Sequence, residues 1–269
     1  MARLSFALPA FLICAAALAG DAVVIQPAKA EKTTETRTVP LAAGSTFKAG
    51  NINGHVFVSA WDRNEVSFTG AFKPSSKGEQ VKVTLESTAK GLEIHCEYPK
   101  HQNAGSHYHA PEVDLDLKVP QRVLASISTV NGDVSLEGTM GQATVSTVNG
   151  GVSAKNLEEG LKAESVNGAL TLSHVLGALD ASTVNGDIEA RDLDGKGGGI
   201  RAESVNGSVH LTLGAAKGRV QASTTNGEVD FHAAGATDAT IKRHKVSALL
   251  PGSEQSIHAE TLNGGITID

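Results

Sequence analysis

Histidine and cysteine, which both bind transition metals, concentrate between residues 95 and 109 of this chain. The group comprises His95, Cys96, His101, His107 and His109. In an extended segment His107 and His109 project to the same side, where two imidazoles can bind zinc or copper. We therefore take His101, His107 and His109 as candidate metal ligands, and an ordinary polar loop is the alternative.

Carboxylates also occur at spacings that could support chemistry. Asp114 and Asp116 lie on one face of an alternating run and could supply the acid and base of a polysaccharide-cleaving enzyme. The Asp-Leu-Asp-Gly segment at 192–195 is similar to half a calcium loop, but Lys196 follows it and the later ligands are absent. Solvated strand carboxylates and a simple turn are the favoured interpretations. The sequence shows no Ser-His-Asp constellation and no phosphate-binding glycine loop before a helix, so no catalytic residue and no cofactor are predicted.

A repeat of Asn-Gly pairs predicts the architecture that positions these residues. Eight pairs occur, and six of them follow one another at steps of 18, 18, 18, 21 and 20 residues. A period near twenty residues is typical of a solenoid, in which each coil buries its apolar face by stacking on its neighbours. The predicted turn residues are Asn53, Gly54, Asn131, Gly132, Asn149, Gly150, Asn167, Gly168, Asn185, Gly186, Asn206, Gly207, Asn226, Gly227, Asn263 and Gly264.

Apolar and polar residues alternate on both sides of each pair, as they do in β-strands. Leu161, Ala163 and Ser165 precede one turn on a single side of a strand, and Leu170 and Leu172 follow it on the inner side of a second strand. The predicted fold class is therefore all-β: a single-stranded β-solenoid, or β-helix, of stacked two-strand coils of 18–21 residues with Asn-Gly corners. We expect the Asn side chains to hydrogen-bond along the stack and the buried Ser/Thr column to form a hydroxyl ladder.

Two other architectures use similar residues. Type I′ hairpins also place Asn-Gly at their turns, and a period of 18 equals three hexapeptides, the unit of left-handed β-helix acyltransferases. The apolar positions alternate in two arms instead of recurring at every sixth residue, which favours the two-strand coil. Either kind of turn would use positive φ, so Gly168→Val is expected to destabilise the fold through backbone strain.

The repeat is interrupted between its last two pairs by a gap of 37 residues. One degenerate coil fits there, with Arg243-His244 at its corner and with Val246 and Ala248 facing inward. The flanking lysines complete a basic cluster at 242–245 that could bind an anionic glycan or partner, and a solvated turn is the alternative. The chain then ends on the alternating run 265–269 without an evident cap, so an open terminal coil could pair with a second copy.

The chain divides into four predicted parts. Residues 1–30 have the charged start, apolar run and small-x-small site of a signal peptide that is cleaved after Ala30, and Ala17-Leu18-Ala19 forms a second possible site. Residues 31–43 are predicted to be a flexible lead-in, residues 44–120 to form irregular N-terminal β coils, and residues 121–269 to form the regular solenoid.

Composition limits the partners and the location. Without residues 1–30 the chain has 21 basic and 28 acidic residues, a net charge of about −7 that excludes nucleic acid and anionic lipid as expected partners. Cys96 is then the only cysteine, so no intramolecular disulfide can form, and its parity predicts a buried position. We expect an exported protein without a membrane span in the mature chain, located in the periplasm, at the cell surface or outside the cell.

One stretch of sequence resembles a known family. The run Asn-Gly-His-Val-Phe-Val-Ser-Ala-Trp-Asp at 53–62, followed by Val119-Pro120 and the serial Ser/Thr-Val-Asn-Gly coils, resembles a bacterial putative-adhesin family of exported β-strand-repeat proteins, a domain of unknown function. The likeness covers residues 44–269 and implies an exported β-solenoid. The family offers no catalytic residues to transfer, and this chain departs from a regular pattern at Arg243-His244.

These observations favour an exported, non-catalytic β-solenoid with an adhesin-like or envelope-interaction role. The expected partner is an unknown macromolecule: a glycan, an envelope component or a host surface. Two other classes stay open, a polysaccharide-acting β-helix enzyme and a structural envelope protein that forms a homo-oligomer through its terminal coil. A groove with clustered carboxylates or aromatic residues on one sheet would favour the enzyme.

Overall fold

The computed structural model of the chain describes residues 22–27, 31–100, 108–138 and 141–269. Within these ranges the fold is all-β, with 24 strands and no helix. None of the described residues therefore forms a helix that could cross a membrane. The strands form two open sheets, named A and B here, that are parallel over most of their length and are extended by antiparallel strands.

Both sheets run the length of the molecule. Sheet A contains, in spatial order, β1 (Ala22–Ile25), β6 (Lys82–Thr88), β7 (Gly91–Glu97), β3 (Thr46–Gly50), β9 (Leu124–Ser128), β11 (Ala143–Asn149), β13 (Leu161–Asn167), β15 (Leu179–Asn185), β17 (Ile200–Asn206), β23 (Ser256–Asn263), β19 (Gly218–Asn226), β22 (Lys245–Leu250) and β21 (Thr237–Lys242). Sheet B contains β2 (Thr33–Pro40), β5 (Glu65–Lys73), β8 (Glu112–Pro120), β4 (Val56–Trp61), β10 (Val134–Glu137), β12 (Val152–Leu157), β14 (Leu170–Val175), β16 (Ile188–Arg191), β18 (Val209–Thr212), β24 (Ile266–Ile268) and β20 (Val229–Phe231).

Layers of two strands build the middle of the molecule. Each layer adds one strand to each sheet, in parallel and in register, so that Val145 pairs with Ala163 and Ala163 with Ala181. Alternate side chains point between the sheets, where Val, Leu, Ile and Ala form one continuous core. The intervening side chains face solvent, which is the alternation that the sequence predicted.

A left-handed residue recurs at the bend that ends each sheet B strand in the middle of the stack. Gly138, Asn156, His174 and Asp192 have φ of 72°, 59°, 52° and 54°. The Asn-Gly pairs differ, because only Gly54 and Gly132 among their glycines have a left-handed φ and none of their asparagines does. The assumption that positive φ explains Asn-Gly is therefore wrong for most of the repeat.

Antiparallel strands cover the N-terminal end of the stack. The layer β3/β4 lies between β7/β8 and β9/β10, although β7/β8 follows it in the chain. Beyond β7/β8, sheet A continues with β6 and β1, and sheet B continues with β5 and β2. The prediction of a flexible lead-in at 31–43 is wrong for residues 33–40. They form β2, and every residue of β2 pairs with a residue of β5. Residues 22–25, inside the predicted leader, form β1 and bury Ile25.

The C-terminal end contains an inserted layer. Strand β23 pairs in parallel with β17 on one side and with β19 on the other, and β24 lies in the same way between β18 and β20. The expectation of an open terminal coil at residues 265–269 is therefore wrong, because both edges of that coil are already paired inside the chain. The last two-strand layer is the earlier coil β19/β20.

A hairpin replaces the degenerate coil that was expected between Asn226 and Asn263. Strands β21 and β22 pair with each other, and β22 pairs antiparallel with β19. Val246 and Ala248 are buried as predicted, but they reach the core from an antiparallel strand. The turn at 243–244 covers the last corner, since the Thr224 amide donates to the His244 carbonyl and the Val229 amide donates to the Arg243 carbonyl.

Candidate functional site

A ladder of asparagine side chains runs along one edge of the stack. Each Asn donates from Nδ2 to the Oδ1 of the Asn in the preceding layer at 2.7–2.9 Å. The ladder passes from Asn53 through Asn131, Asn149, Asn167, Asn185, Asn206 and Asn263 to Asn226. It follows the spatial order of the layers, so Asn263 precedes Asn226. This arrangement fixes the register of neighbouring coils.

Contact between layers explains the glycine after each Asn. A Cβ built on Gly168 would lie 1.9 Å from the carbonyl oxygen of Gly150, and one built on Gly264 would lie 2.2 Å from that of Gly207. Real Cβ atoms do not approach a carbonyl oxygen this closely, so only glycine permits the stacking. Gly168 is therefore required by close backbone approach, and the backbone-strain explanation was wrong.

The buried hydroxyls bind these glycine carbonyls. Thr147 Oγ1 donates to Gly132 O at 3.1 Å, and Ser165 Oγ donates to Gly150 O at 2.9 Å. The expected hydroxyl-to-hydroxyl ladder is therefore wrong. At the N-terminal end Asn51 takes the place of the hydroxyl residue and its Nδ2 donates to Gly54 O. These contacts are structural.

The histidine-rich segment is only partly described by the structure. His101 and His107 lie outside the described residues, and His109 is exposed. His95 lies on the outer face of β7 with its Nε2 3.3 Å from a Glu93 carboxylate oxygen. Cys96 contacts the core, and burial raises the pKa of its thiol to about 12, so it stays protonated at neutral pH. The metal site at His101, His107 and His109 stays a prediction.

Both aspartates of the sequence-predicted carboxylate pair lie on one face of β8. Lys73 Nζ lies 2.8 Å from Asp114 Oδ2 and 2.6 Å from Glu112 Oε1. Burial raises the pKa of Asp114, but the Lys73 and His55 hydrogen bonds outweigh it and hold that pKa below its usual range. Asp116 is exposed on the same strand. Asp114 is therefore part of an ion-pair network between β5 and β8.

A charged cluster lies on the outer face of sheet A, over β17 and β23. Arg201 and Glu203 on β17 stand beside His258 and Glu260 on β23. Arg201 Nη2 lies 2.6 Å from Glu203 Oε1, and His258 Nε2 lies 3.3 Å from Glu260 Oε2 and 3.6 Å from Glu203 Oε1. Asp180 on β15 lies 4.0 Å from Arg201 Nε. Three carboxylates therefore surround one guanidinium and one imidazole.

Part of this cluster has the donor set of a metal centre. Donor atoms of Glu203, His258 and Glu260 all lie within 4.8 Å of one another, the sole group of three with this property among the described residues. One imidazole and two carboxylates could bind a divalent cation. Arg201 already supplies a positive charge to Glu203, however, so the geometry supports an ion-pair cluster without requiring a metal.

A groove of about 550 Å³ runs beside this cluster and crosses five strands of sheet A, from β13 to β19. Glu203 and Glu260 form part of one wall, and Ser182 extends that wall onto β15. The opposite wall is apolar. It consists of Val184, Val205 and Leu262, which are 40%, 40% and 45% exposed. We call this feature the sheet A groove.

The inserted layer assembles the sheet A groove. His258, Glu260 and Leu262 belong to β23, which is separated from β17 in sequence by the whole of residues 207–255. Sequence reasoning missed this cluster, because the Asn-Gly period does not reveal which layers are neighbours. Glu203 and Glu260 were assigned no role for the same reason.

The basic cluster at 242–245 lies on the other side of β19, at the end of the stack. Lys242, Arg243, His244 and Lys245 are all exposed at the tip of the β21–β22 hairpin. Their backbone covers the last Asn-Gly corner, which gives this turn a structural role. No ion pair of these four residues with another described residue is found.

Two solved structures and one family model are similar to this chain. A putative adhesin from Bacteroides fragilis NCTC 9343 is 14% identical, with 89% of this chain and 99% of that chain covered and a TM-score of 0.49. A putative cell adhesion protein from Clostridium sporogenes ATCC 15579 is also 14% identical, with 88% and 99% covered and a TM-score of 0.40. No curated protein matches the chain. The family model described as Toastrack DUF4097 matches residues 20–269, and the protein therefore belongs to this family of domains of unknown function.

Proposed function

We propose that this protein is an exported, non-catalytic β-solenoid that binds another macromolecule in an adhesin-like or envelope-interaction role. Its coils of 18–21 residues turn at Asn-Gly, and their outward columns form extended faces. The observation that carries the proposal is the sheet A groove, an open trough across five paired strands with one charged and one apolar wall. Solenoids use such extended regular surfaces for binding.

The proposed partner is a glycan, an envelope component or a host surface. The mature chain would be exposed in the periplasm, at the cell surface or outside the cell. A pull-down of the mature chain against envelope and glycan fractions tests this. We expect specific retention that is reduced by Glu203→Gln combined with Glu260→Gln, and unaffected by Glu137→Gln on sheet B. Absence of retention from every fraction would contradict the adhesin-like role.

Export is tested by the mass of the mature protein. Cleavage after Ala30 would remove β1, whereas cleavage after Ala19 would keep it. The pairing of β1 with β6 and the burial of Ile25 support the second site. We expect mass spectrometry of protein from the periplasm or medium to show a chain that begins at Gly20. A chain that begins at Glu31 would contradict cleavage after Ala19, and recovery of the protein only from the cytoplasm would contradict export.

A polysaccharide-acting enzyme is the second candidate function. The sheet A groove has two carboxylates, Glu203 and Glu260, with oxygen atoms within 4.8 Å of each other, close to the carboxylate separation of about 5 Å in retaining glycosidases. Arg201 holds one of them in an ion pair and the groove is open to solvent, which favours binding over catalysis. Release of reducing ends from a polysaccharide, lost in Glu203→Gln, would establish the enzyme instead.

A further inference from the structure

We propose that the sheet A groove binds a linear polysaccharide that carries amino groups. This inference rests on the proposed binding function and names the class of ligand for the same site. It depends on the charge of one wall, on the apolar opposite wall and on the fully paired backbone beneath the groove.

The charge of the groove favours a cationic ligand. Asp180, Glu203 and Glu260 contribute three negative charges, and Arg201 contributes one positive charge. The other titratable groups that face them are His258 on β23 and, on β13, Lys162 and Glu164, which form an ion pair with each other. Glu260 is 56% exposed and its imidazole contact is 3.3 Å long, so its carboxylate is open to a ligand. An ammonium group can therefore pair with Glu260 without displacing Arg201 from Glu203.

The apolar wall favours a ligand with extended C–H surfaces. Val184, Val205 and Leu262 lie on adjacent strands, which are spaced at about 4.8 Å, so they form a continuous ridge along the stack. Sugar rings present C–H groups on their faces and hydroxyl or amino groups at their edges. A linear chain of such rings can contact the ridge with its faces and the carboxylates with its edges.

The backbone under the groove argues against an extended peptide. Strand β23 pairs on both sides, with β17 and β19, and β17 also pairs on its other side with β15. A peptide that adds to a sheet needs an unpaired edge, and the groove has none. Recognition must therefore use side chains, here carboxylates, a guanidinium and the Ser182 hydroxyl, which suit hydroxyl and ammonium groups.

Isothermal titration of the mature chain with glucosamine oligomers at low ionic strength tests the proposal. We expect Glu260→Gln to weaken binding at least tenfold and Val205→Ser to weaken it several-fold. Glu137→Gln and Val148→Ser are matched controls, because Glu137 lies on sheet B and Val148 is an equally exposed ridge residue away from the groove. Both controls should bind like the unmodified chain.

Competing ligands give the results that would overturn the proposal. Fully N-acetylated oligomers of the same length should bind at least tenfold more weakly, and equal binding would remove the role of the amino group. Tighter binding of lysine oligomers, lost in Glu260→Gln, would assign the groove to a basic peptide instead. If the chain retains a glycan or envelope fraction but Glu260→Gln changes nothing, the proposed function stands and this site is wrong. Retention of no fraction would reject both.

Discussion

The middle of the stack and its C-terminal end are built from the same coil, but the chain fills their layers in different orders. From β9 to β18 each layer follows its predecessor in sequence, whereas the layer after β17/β18 is the terminal coil and the one after that is the earlier coil β19/β20. The registers are equivalent, because Ile257 pairs with both Ile200 and Val220. Because the inward residues of different coils are equivalent, they do not determine which coils are neighbours. The order of the layers therefore depends on the connecting segments and on the strands that cover the ends.

The hairpin explains why the terminal coil is inserted. Strand β22 occupies the outer edge of β19 in an antiparallel pairing, so the terminal segment can reach only the inner edge of β19. The connection from β18 to β19, residues 213–217, passes the inserted layer although it is shorter than the connection from β16 to β17, residues 192–199.

The two regions also differ in the chemistry of their outer faces. In the middle the paired outward residues of β9 and β11 are Ser and Thr, and β13 adds a single ion pair between Lys162 and Glu164. At the end, insertion brings His258 and Glu260 beside Arg201 and Glu203. The regular region thus provides rigidity, and the irregular order of the end concentrates charge beside the apolar ridge. Substitutions made separately in the middle and at the C-terminal end test whether the two regions have these different roles.

The largest expected effect is the loss of stability in glycine variants of both regions. Gly168→Ala in the middle and Gly264→Ala in the inserted layer should each lower the free energy of unfolding by at least about 3 kcal/mol, because the new Cβ meets a carbonyl oxygen. Gly265→Ala is the control, since its Cβ would lie 3.6 Å from the nearest atom. Urea unfolding measures the difference. A harmless Gly264→Ala beside a severe Gly168→Ala would mean that the terminal coil is not in the stack.

The strands and their inward faces could be predicted from the local periodicity of the sequence. The reason for the glycine in each Asn-Gly pair could not. The alternation at Leu161, Ala163 and Ser165 identifies an inward face because the strand period is two. The sequence predicts that Gly168 is needed for folding, but the contact that requires glycine there is with Gly150 of the neighbouring layer. A contact between layers has no signature within one coil, so the sequence suggested a local backbone explanation.

The sheet A groove was unpredictable for a related reason. His258 and Glu260 stand in outward columns that look the same in every coil, and nothing in one repeat states that β23 lies beside β17. The strand at 33–40 was missed because its Thr, Glu and Arg residues have the composition of a flexible segment. Pairing with β5, a tertiary contact, overrides that local preference.

The order of the layers can be tested with a disulfide. Arg201→Cys with His258→Cys, in a mature chain with Cys96→Ala, should form a disulfide, because the two positions are paired neighbours. It should stabilise the fold by about 2–4 kcal/mol. Arg201→Cys with Gln221→Cys is the matched control, since these positions lie two strands apart, at about 10 Å. Thiol titration and thermal unfolding provide the measurements. Efficient oxidation of the control pair would show that β19 stacks directly on β17.

Asp194 lies at the boundary between the two regions, and we expect its contribution to the free energy of unfolding to depend on pH. Its Oδ1 accepts hydrogen bonds from the amides of Gly177 at 2.6 Å and Lys196 at 3.1 Å. Burial raises its pKa, but these hydrogen bonds outweigh burial and hold the pKa below its usual range. The contribution is therefore present above the unfolded-state pKa of about 3.9 and is lost as the pH falls through the lowered folded-state value.

Replacement of Asp194 separates this contribution from general acid unfolding. Asp194→Ala should cost about 1–3 kcal/mol at neutral pH, because it leaves a buried Gly177 amide without its acceptor. Asp230→Ala is the control, since Asp230 is exposed on β20 and its backbone is not left-handed. Unfolding free energies between neutral and acidic pH should converge for the wild type and Asp194→Ala. Parallel curves would show that Asp194 is not held in its charged form.

The asparagine ladder gives the smallest effect and compares the two regions most directly. Asn167 in the middle both donates to Asn149 and accepts from Asn185, whereas Asn226 at the end only donates to Asn263. Because these hydrogen bonds are exposed, Asn167→Ala should cost about 1 kcal/mol and Asn226→Ala about half as much. Urea unfolding of both variants, with Asn263→Ala as a third, measures the ladder. Asn263 donates to Asn206 and accepts from Asn226, so it should behave like Asn167 if the terminal coil is an interior layer. If Asn263→Ala costs as little as Asn226→Ala, the terminal coil lies at an edge of the stack. The C-terminal end would then have no inserted layer, and its layer order would not differ from that of the middle.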